Sequence, residues 1–323
     1  MPNIRGRFTC LLSTAALLAL SAAPGAAQAP AYPSDRINMT VAFAAGGFVD
    51  TFARIIGQKL SEKWGKAVTV ENRAGAGGNT AAALIANTKP DGLTLLVTST
   101  AIAINETLYK NRDYSLDQLV PVAIAVSSPE TIASHPSKPR TLKEYLAWAK
   151  GNDITFASAG VGSGSHLAAE FFLKTMAKQP ATHIPFRGGA LSVQAALGNQ
   201  VDMVASSFGI IPQVVEGKLT GLAVASETRV AAMPDVPTYT ESGFPFVAES
   251  WVGVLAPAKT PPAIVEQLNA AIAEIIADPQ TKQKLLGMGY QLHQRTVPQT
   301  AAYLKDEVVK WGEMVRAVGV TVE

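Results

Sequence analysis

Short apolar runs alternate along this chain with segments whose apolar residues recur every three or four positions, and glycines stand at the joins. Ile37–Phe43 reads as a strand. After Gly46-Gly47, an amphipathic helix begins near Asp50, places Phe52, Ile55, Ile56 and Leu60 on one face, and stops at Gly65 after Trp64. Ala67–Val70 is a second strand; Gly75, Gly77 and Gly78 then make a tight turn, with Asn79 as N-cap of the next helix. Pro90-Asp91-Gly92 marks another turn before a third strand, Leu93–Thr98, which ends in the hydroxyl cluster Thr98-Ser99-Thr100. The order βαβαβ predicts a parallel sheet wound with helices.

Leu119–Val126 predicts a further strand, closed by Ser127-Ser128-Pro129, and the pattern then restarts. Thr141 caps a helix carrying Leu142, Tyr145, Leu146 and Ala149. Ile154–Ala157 is a strand followed by the turn Ser158–His166 and a helix over Leu167–Ala177. His183–Phe186 is a strand, turning through Arg187-Gly188-Gly189 into a helix over Ala190–Leu197. Val201–Ala205 ends at Ser206-Ser207, a short helix ends at Glu216-Gly217, and Leu219–Ala225 makes one more strand. Ser250–Ala256 reads as a strand that carries the chain back to the first unit. The tail is helical, through Ile264, Val265, Leu268, Ile272 and Ile276, and then Leu304, Val308, Trp311 and Val315. These elements predict two α/β domains, 30–128 plus 251–323 and the inserted 129–250. Ligands of such sheets sit beyond the carboxyl ends of the strands, where the glycine turns lie.

The first residues carry an address. Arg5 and Arg7 precede an apolar run, Cys10 to Leu20, and small residues follow, so 1–27 reads as a secretory signal cleaved after Ala27. That run is far short of the about 20 residues that span a bilayer, and an exported, periplasmic protein is expected. Cys10 is the single cysteine, so the mature chain has no disulfide, catalytic thiolate or cysteine metal site. Arg5 and Arg7 account for the excess of 27 basic over 25 acidic residues, leaving a neutral mature chain with no footprint for nucleic acid. A mature chain of about 295 residues lies near the size at which one core divides into two.

Four strand–glycine–helix turns recur, at Gly46-Gly47, Gly75–Gly78, Gly160–Gly164 and Gly188-Gly189. Each aims backbone N–H groups and a helix dipole at one point, which suits an anion without requiring a basic side chain. A single such turn often only reverses the chain; four of them across two domains, with Ser99, Ser158, Ser163, Ser165, Ser206 and Ser207 nearby, make an inventory for a small carboxylate. Arg187 is the candidate clamp or else half of a structural ion pair, and Arg73 reads as structural. Asp50 either steadies the helix dipole or holds a water or a cationic group of a ligand. Asp202 reads as a brace. Phosphate readings fail on spacing: GAGGNT lacks the Lys-Ser/Thr of a P-loop, and no G-x-G-x-x-G opens the first helix. No serine sits in G-x-S-x-G, which weakens a rival reading as an exported α/β hydrolase using Ser165 and His166. His166 is otherwise a polar residue at a helix start, and the four histidines show no metal-ligand spacing.

The ordered motifs VAFAAGGFVDTFAR, VENRAGAGGN, KPDGLTLLVTSTAIAIN, FASAGVGSGSHLAAEFF, PFRGGA, LGNQVDM, MPDVPTYTESGFP and SWVGVLAPAKTPPAIVEQLN cover nearly the whole mature chain. Through them the chain resembles the periplasmic solute-binding proteins of tripartite tricarboxylate transporters, the Bug family. The resemblance implies an α/β two-domain Venus-flytrap fold, each domain a mixed sheet flanked by helices, closing on a small organic carboxylate. It implies a non-enzymatic, monomeric protein without a cofactor, delivering its ligand to a two-component inner-membrane permease, or docking on a sensor receptor. It carries over the loops Ala44–Asp50 (Ala44, Gly47, Phe48, Asp50) and Ala74–Gly78 (Ala76, Gly77) as holders of one carboxylate through backbone amides and waters. Ser158–His166 (Ser158, Ser165, His166) and Arg187-Gly188 are the closing loops, with Ser99 and Ser207 at strand ends. Two departures matter. Phe48-Val49 stands where relatives have small hydroxyl residues, and Ser206-Ser207 where they often have Asp-Asn. These substitutions predict a ligand that lacks an amino group and has an aromatic or longer apolar body.

Overall fold

The computed structural model describes residues 32–322; the expected signal, 1–27, lies outside them. In chain order the elements are β1 (Ile37–Val41), α1 (Phe48–Trp64), β2 (Val68–Asn72), α2 (Asn79–Ala86), β3 (Thr94–Ser99), α3 (Ala101–Leu108) and β4 (Leu119–Pro129). They continue with β5 (Thr131–Ser134), α4 (Leu142–Ala149), β6 (Thr155–Ser158), α5 (Gly164–Glu170), β7 (Thr182–Pro185), α6 (Gly189–Leu197), β8 (Met203–Ser206), α7 (Ile210–Val215) and β9 (Thr220–Val224). The chain ends in β10 (Glu249–Pro257), α8 (Pro262–Ala277), α9 (Pro279–Gly287), β11 (Gln291–Leu292) and α10 (Val297–Val318).

The strands form two mixed sheets, six strands in the order β11-β4-β10-β3-β1-β2 and five in the order β7-β6-β8-β5-β9. In the first, β1 runs parallel to β2 and β3, while β10 is antiparallel to both β3 and β4. In the second, β6 is parallel to β7 and β8, and β5 is antiparallel to β8 and β9. Alternation sets the two faces of the first sheet. Met39, Val41, Leu95, Val97, Val252 and Val254 pack with Phe52, Ile56 and Leu60 of α1 and with Leu268 and Ile272 of α8. The intervening Leu96, Trp251 and Leu255 face α2, α3 and α10. There the buried Glu307 carboxylate accepts from the indoles of both Trp251 (2.9 Å) and Trp311 (2.7 Å), tying α10 to β10.

The two sheets meet where the chain passes between them. Glu130 separates β4 from β5; its N–H donates to Ala248 C=O (2.9 Å) and its C=O accepts from Ala225 N–H (2.8 Å), so both crossings are knit side by side. Its carboxyl group is buried, takes a hydrogen bond from Ser250 Oγ, and leaves Oε2 without a partner. Burial pushes its pKa up to about 8 against the pull of the Ser250 bond.

Several expectations require correction. Asn79 is the first residue of α2 rather than its cap; Gly78, at φ +98°, takes that position. The Asn79 side chain is instead buried, where its Oδ1 accepts from Asn105 and Tyr114. β4 runs on through Ser127-Ser128-Pro129, because all three are buried against β10 and complete its ladder. The helix after Ser163 begins at Gly164 and widens into a π-helical turn over Phe171–Met176. α3, α9, β5 and β11 were not anticipated.

Candidate functional site

All four glycine turns lie at the carboxyl ends of strands, and each is braced from behind. In the first, Gly46 (φ +78°) donates its N–H to Asp50 Oδ2 at 2.8 Å. Arg54 Nε and Asn72 Nδ2 donate to the same carboxylate at 2.9 and 2.8 Å, and Asn72 also reaches Phe43 C=O at 2.9 Å. Burial raises the Asp50 pKa, but the bonds from Arg54, Gly46 and Asn72 outweigh it and hold the group below the usual carboxylate range. Gly47 stands at the N-cap of α1 and offers no side chain to cap it, so the first-turn N–H groups stay available. In the second turn Gly75, Ala76, Gly77 and Gly78 all take positive φ, and Asn105 Nδ2 pins Gly77 C=O at 3.0 Å.

The third and fourth turns hold each other. Phe186 N–H donates to Ser158 C=O and Gly188 N–H to Ala159 C=O, both at 3.1 Å. Ser163 caps α5 by accepting from His166 N–H. Ser165 Oγ accepts from Ala159 N–H at 3.2 Å, while His166 Nδ1 accepts from Gly162 N–H at 3.3 Å. The His166 ring stacks on His183 at 4.0 Å, and His183 Nε2 lies 2.7 Å from Ser158 Oγ. Burial, then the neighbouring His183, lowers the His166 pKa to about 3; burial lowers that of His183 to about 4. Both imidazoles are therefore neutral at pH 7 and serve as packing beneath the loop. Ser165 and His166 face separate partners and do not form the nucleophile–base pair of the hydrolase reading.

Two adjoining cavities open between the turns, of about 290 and 660 Å³. Ala44, Arg187 and Gly188 line both. Gly47, Phe48, Ser99, Ser165 and Ser207 line the smaller, and Ala76 and Gly77 the larger. Asp50, Ser158 and His166 line neither: Asp50 is 2 % exposed and committed to its loop, and the other two are buried under theirs. They stand behind the loops that line the cavities, where the resemblance had carried them over as part of the binding loops. Sequence reading missed Phe208, Leu191, Ser250 and Tyr109, which line the cavities, and Tyr290, which stacks on Phe48 from behind. Phe208 directly follows the Ser206-Ser207 strand end, the one cue that marked it.

Every residue lining the two cavities is uncharged except Arg187. Arg187 is exposed, and Arg73 pairs loosely with Glu71 at 3.6 Å, outside both. Asp202 takes Lys138 Nζ (2.7 Å) and Thr155 N–H (2.9 Å), a brace at the start of β6. Among the described residues no His, Cys, Asp and Glu cluster is arranged to hold a metal ion.

The model of the tripartite tricarboxylate transporter family receptors matches residues 52–320. Among solved structures, the periplasmic binding protein BugD is 32 % identical, superimposes with a TM-score of 0.84, and aligns over 90 % of this chain and 100 % of its own. The malate-bound MatC of Rhodopseudomonas palustris is 30 % identical with a TM-score of 0.82, over 88 % of this chain and 100 % of its own. An adipate-bound R. palustris protein, Rpa4515, is 26 % identical with a TM-score of 0.85, over 90 % of this chain and 99 % of its own. With these matches spanning two mixed sheets and the loops between them, the chain belongs to the tripartite tricarboxylate transporter receptor family, whose members are periplasmic solute-binding proteins.

Proposed function

We propose that this protein captures a small organic carboxylate lacking an amino group and delivers it to a tripartite tricarboxylate-type membrane permease. The observation that carries the reading is the make-up of the cavity walls: glycine-loop amides, serine hydroxyls and one guanidinium, with no carboxylate to meet a ligand ammonium. Burying an ammonium there without a counter-charge costs too much to be offset by its other contacts. The malate and adipate held by relatives are of the chemical class this wall accepts. In this reading 30–128 plus 251–323 forms one lobe and 129–250 the other, and ligand adds contacts from the second lobe to stabilise a closed state. The protein works in the periplasm after loss of its signal, without catalysing a reaction.

Differential scanning fluorimetry of the purified mature chain tests this. A carboxylate at about 100 times its Kd stabilises by about 2.7 kcal/mol, a shift of several degrees in Tm. Malate, adipate or benzoate is expected to produce that shift, and glutamate and aspartate are expected to leave Tm unchanged. Shifts confined to the amino acids would refute the reading.

A further inference from the structure

We infer that the ligand is a single-ring aromatic carboxylate, its ring seated against Phe48 and Phe208 and its carboxylate at Arg187; this rests on the carboxylate reading above. Phe48 stands at the first turn of α1 with one face stacked on Tyr290, ring centroids 4.9 Å apart and planes 16° off parallel. Tyr290 is itself fixed, 1 % exposed, with its hydroxyl donating to Phe48 C=O at 2.7 Å. Phe208, arriving from the second sheet, lies 5.6 Å from Phe48 at 52° and 5.5 Å from Tyr290 at 45°. Phe48 and Phe208 both line the smaller cavity, and their planes, 52° apart, form an angled corner. Such a corner offers a third ring a stacked partner and an edge-on partner at once, both within the about 4.5–7 Å over which aromatic pairs attract.

Size and charge agree. An apolar cavity of about 150 Å³ admits benzene, so the about 290 Å³ here holds one ring with its carboxylate and little more. Arg187 and Gly188 line both cavities and so mark where they join; the carboxylate belongs there. An aliphatic diacid reaching into the aromatic corner would set its second carboxylate against the rings of Phe48 and Phe208, the apolar part of the wall. A ring finds instead Phe48, Phe208 and Leu191, with Ser207 on the same wall.

Calorimetric titration of benzoate, 4-hydroxybenzoate, adipate and malate into the mature protein, and into Phe48→Ser and Phe208→Ser variants, tests the inference. The aromatic acids are expected to bind at least about tenfold more tightly than either diacid. Each substitution is expected to weaken the aromatic acids roughly tenfold and to narrow that preference. Tighter binding of adipate or malate to the unaltered protein overturns the inference while leaving the carboxylate reading intact. Equal losses for every acid in the variants also overturn it, since the rings would then be shaping the loop and not meeting the ligand. Binding of none of the four overturns both readings.

Discussion

Arg187 is exposed at the junction of the two cavities and pairs with no acid among the described residues, which leaves its five donors to the ligand. Arg187→Ala is expected to weaken carboxylate binding by about 1–3 kcal/mol, measured by calorimetry. Arg187→Lys should recover only part of this, because a point charge cannot reproduce the planar fork. Asp50 shows the opposite design. Its oxygens are occupied by Gly46, Arg54 and Asn72, so it shapes the loop whose amides face the cavity. Sequence spacing cannot separate these two roles, since a helix first-turn acid and a site acid occupy the same position along the chain.

At the scale of elements, the turns are held by close approach as much as by hydrogen bonds. A Cβ built on Gly164 would lie 2.7 Å from Glu130 Oε1 and also strike Ser250 Oγ, wedging α5 away from the strand crossing. Gly164→Ala is expected to lower stability by about 1–3 kcal/mol in urea unfolding, whereas Gly151→Ala, with nothing within 4 Å, should stay within about 0.5 kcal/mol of the parent. The periodic elements were legible from sequence: α1, α8, α10 and the Thr141-capped α4 each show an apolar stripe or a cap. α3 was not, because Ala101–Leu108 is buried almost all round and has no polar face to set a period. β5 was lost for a related reason: its four residues Thr131–Ser134 are all buried between β8 and β9, so nothing alternates. The cavity loops were found through their glycines. Phe208 and Tyr290 reach the site only through the folded chain, which brings positions 160 and 242 residues after Phe48 beside it.

For the whole molecule, buried titratable groups define a stability optimum. His166 and His183 have folded pKa values of about 3 and 4, below the unfolded value near 6.5, so their contribution is complete above pH 6.5 and is lost as pH falls toward 4. Glu130 runs the other way: with a folded pKa of about 8, its contribution is complete below about pH 4.3 and is lost as pH rises toward 8. Unfolding free energy is therefore expected to peak near pH 6.5, with each limb sloping by up to about 1.4 kcal/mol per pH unit for each uncompensated group. Chemical denaturation across pH 4–9 measures the peak, and Glu130→Gln should flatten the alkaline limb while steepening the acid limb above about pH 4.3, where Glu130 opposes the two histidines. The placement of β10 has a different consequence, for the order in which the chain acquires structure. β10 is the central member that joins β4 to β3, yet it is made some 120 residues after β4 ends. Until Glu249–Pro257 arrives, β1, β2 and β3 form a fragment with a bare edge, and β4 has no neighbour on that side. The inserted strands β5 to β9, contiguous in sequence, can pair first, while the first sheet waits for a long-range closure. A nascent chain of this topology leaves its first sheet incomplete until nearly four-fifths of the sequence has been synthesised.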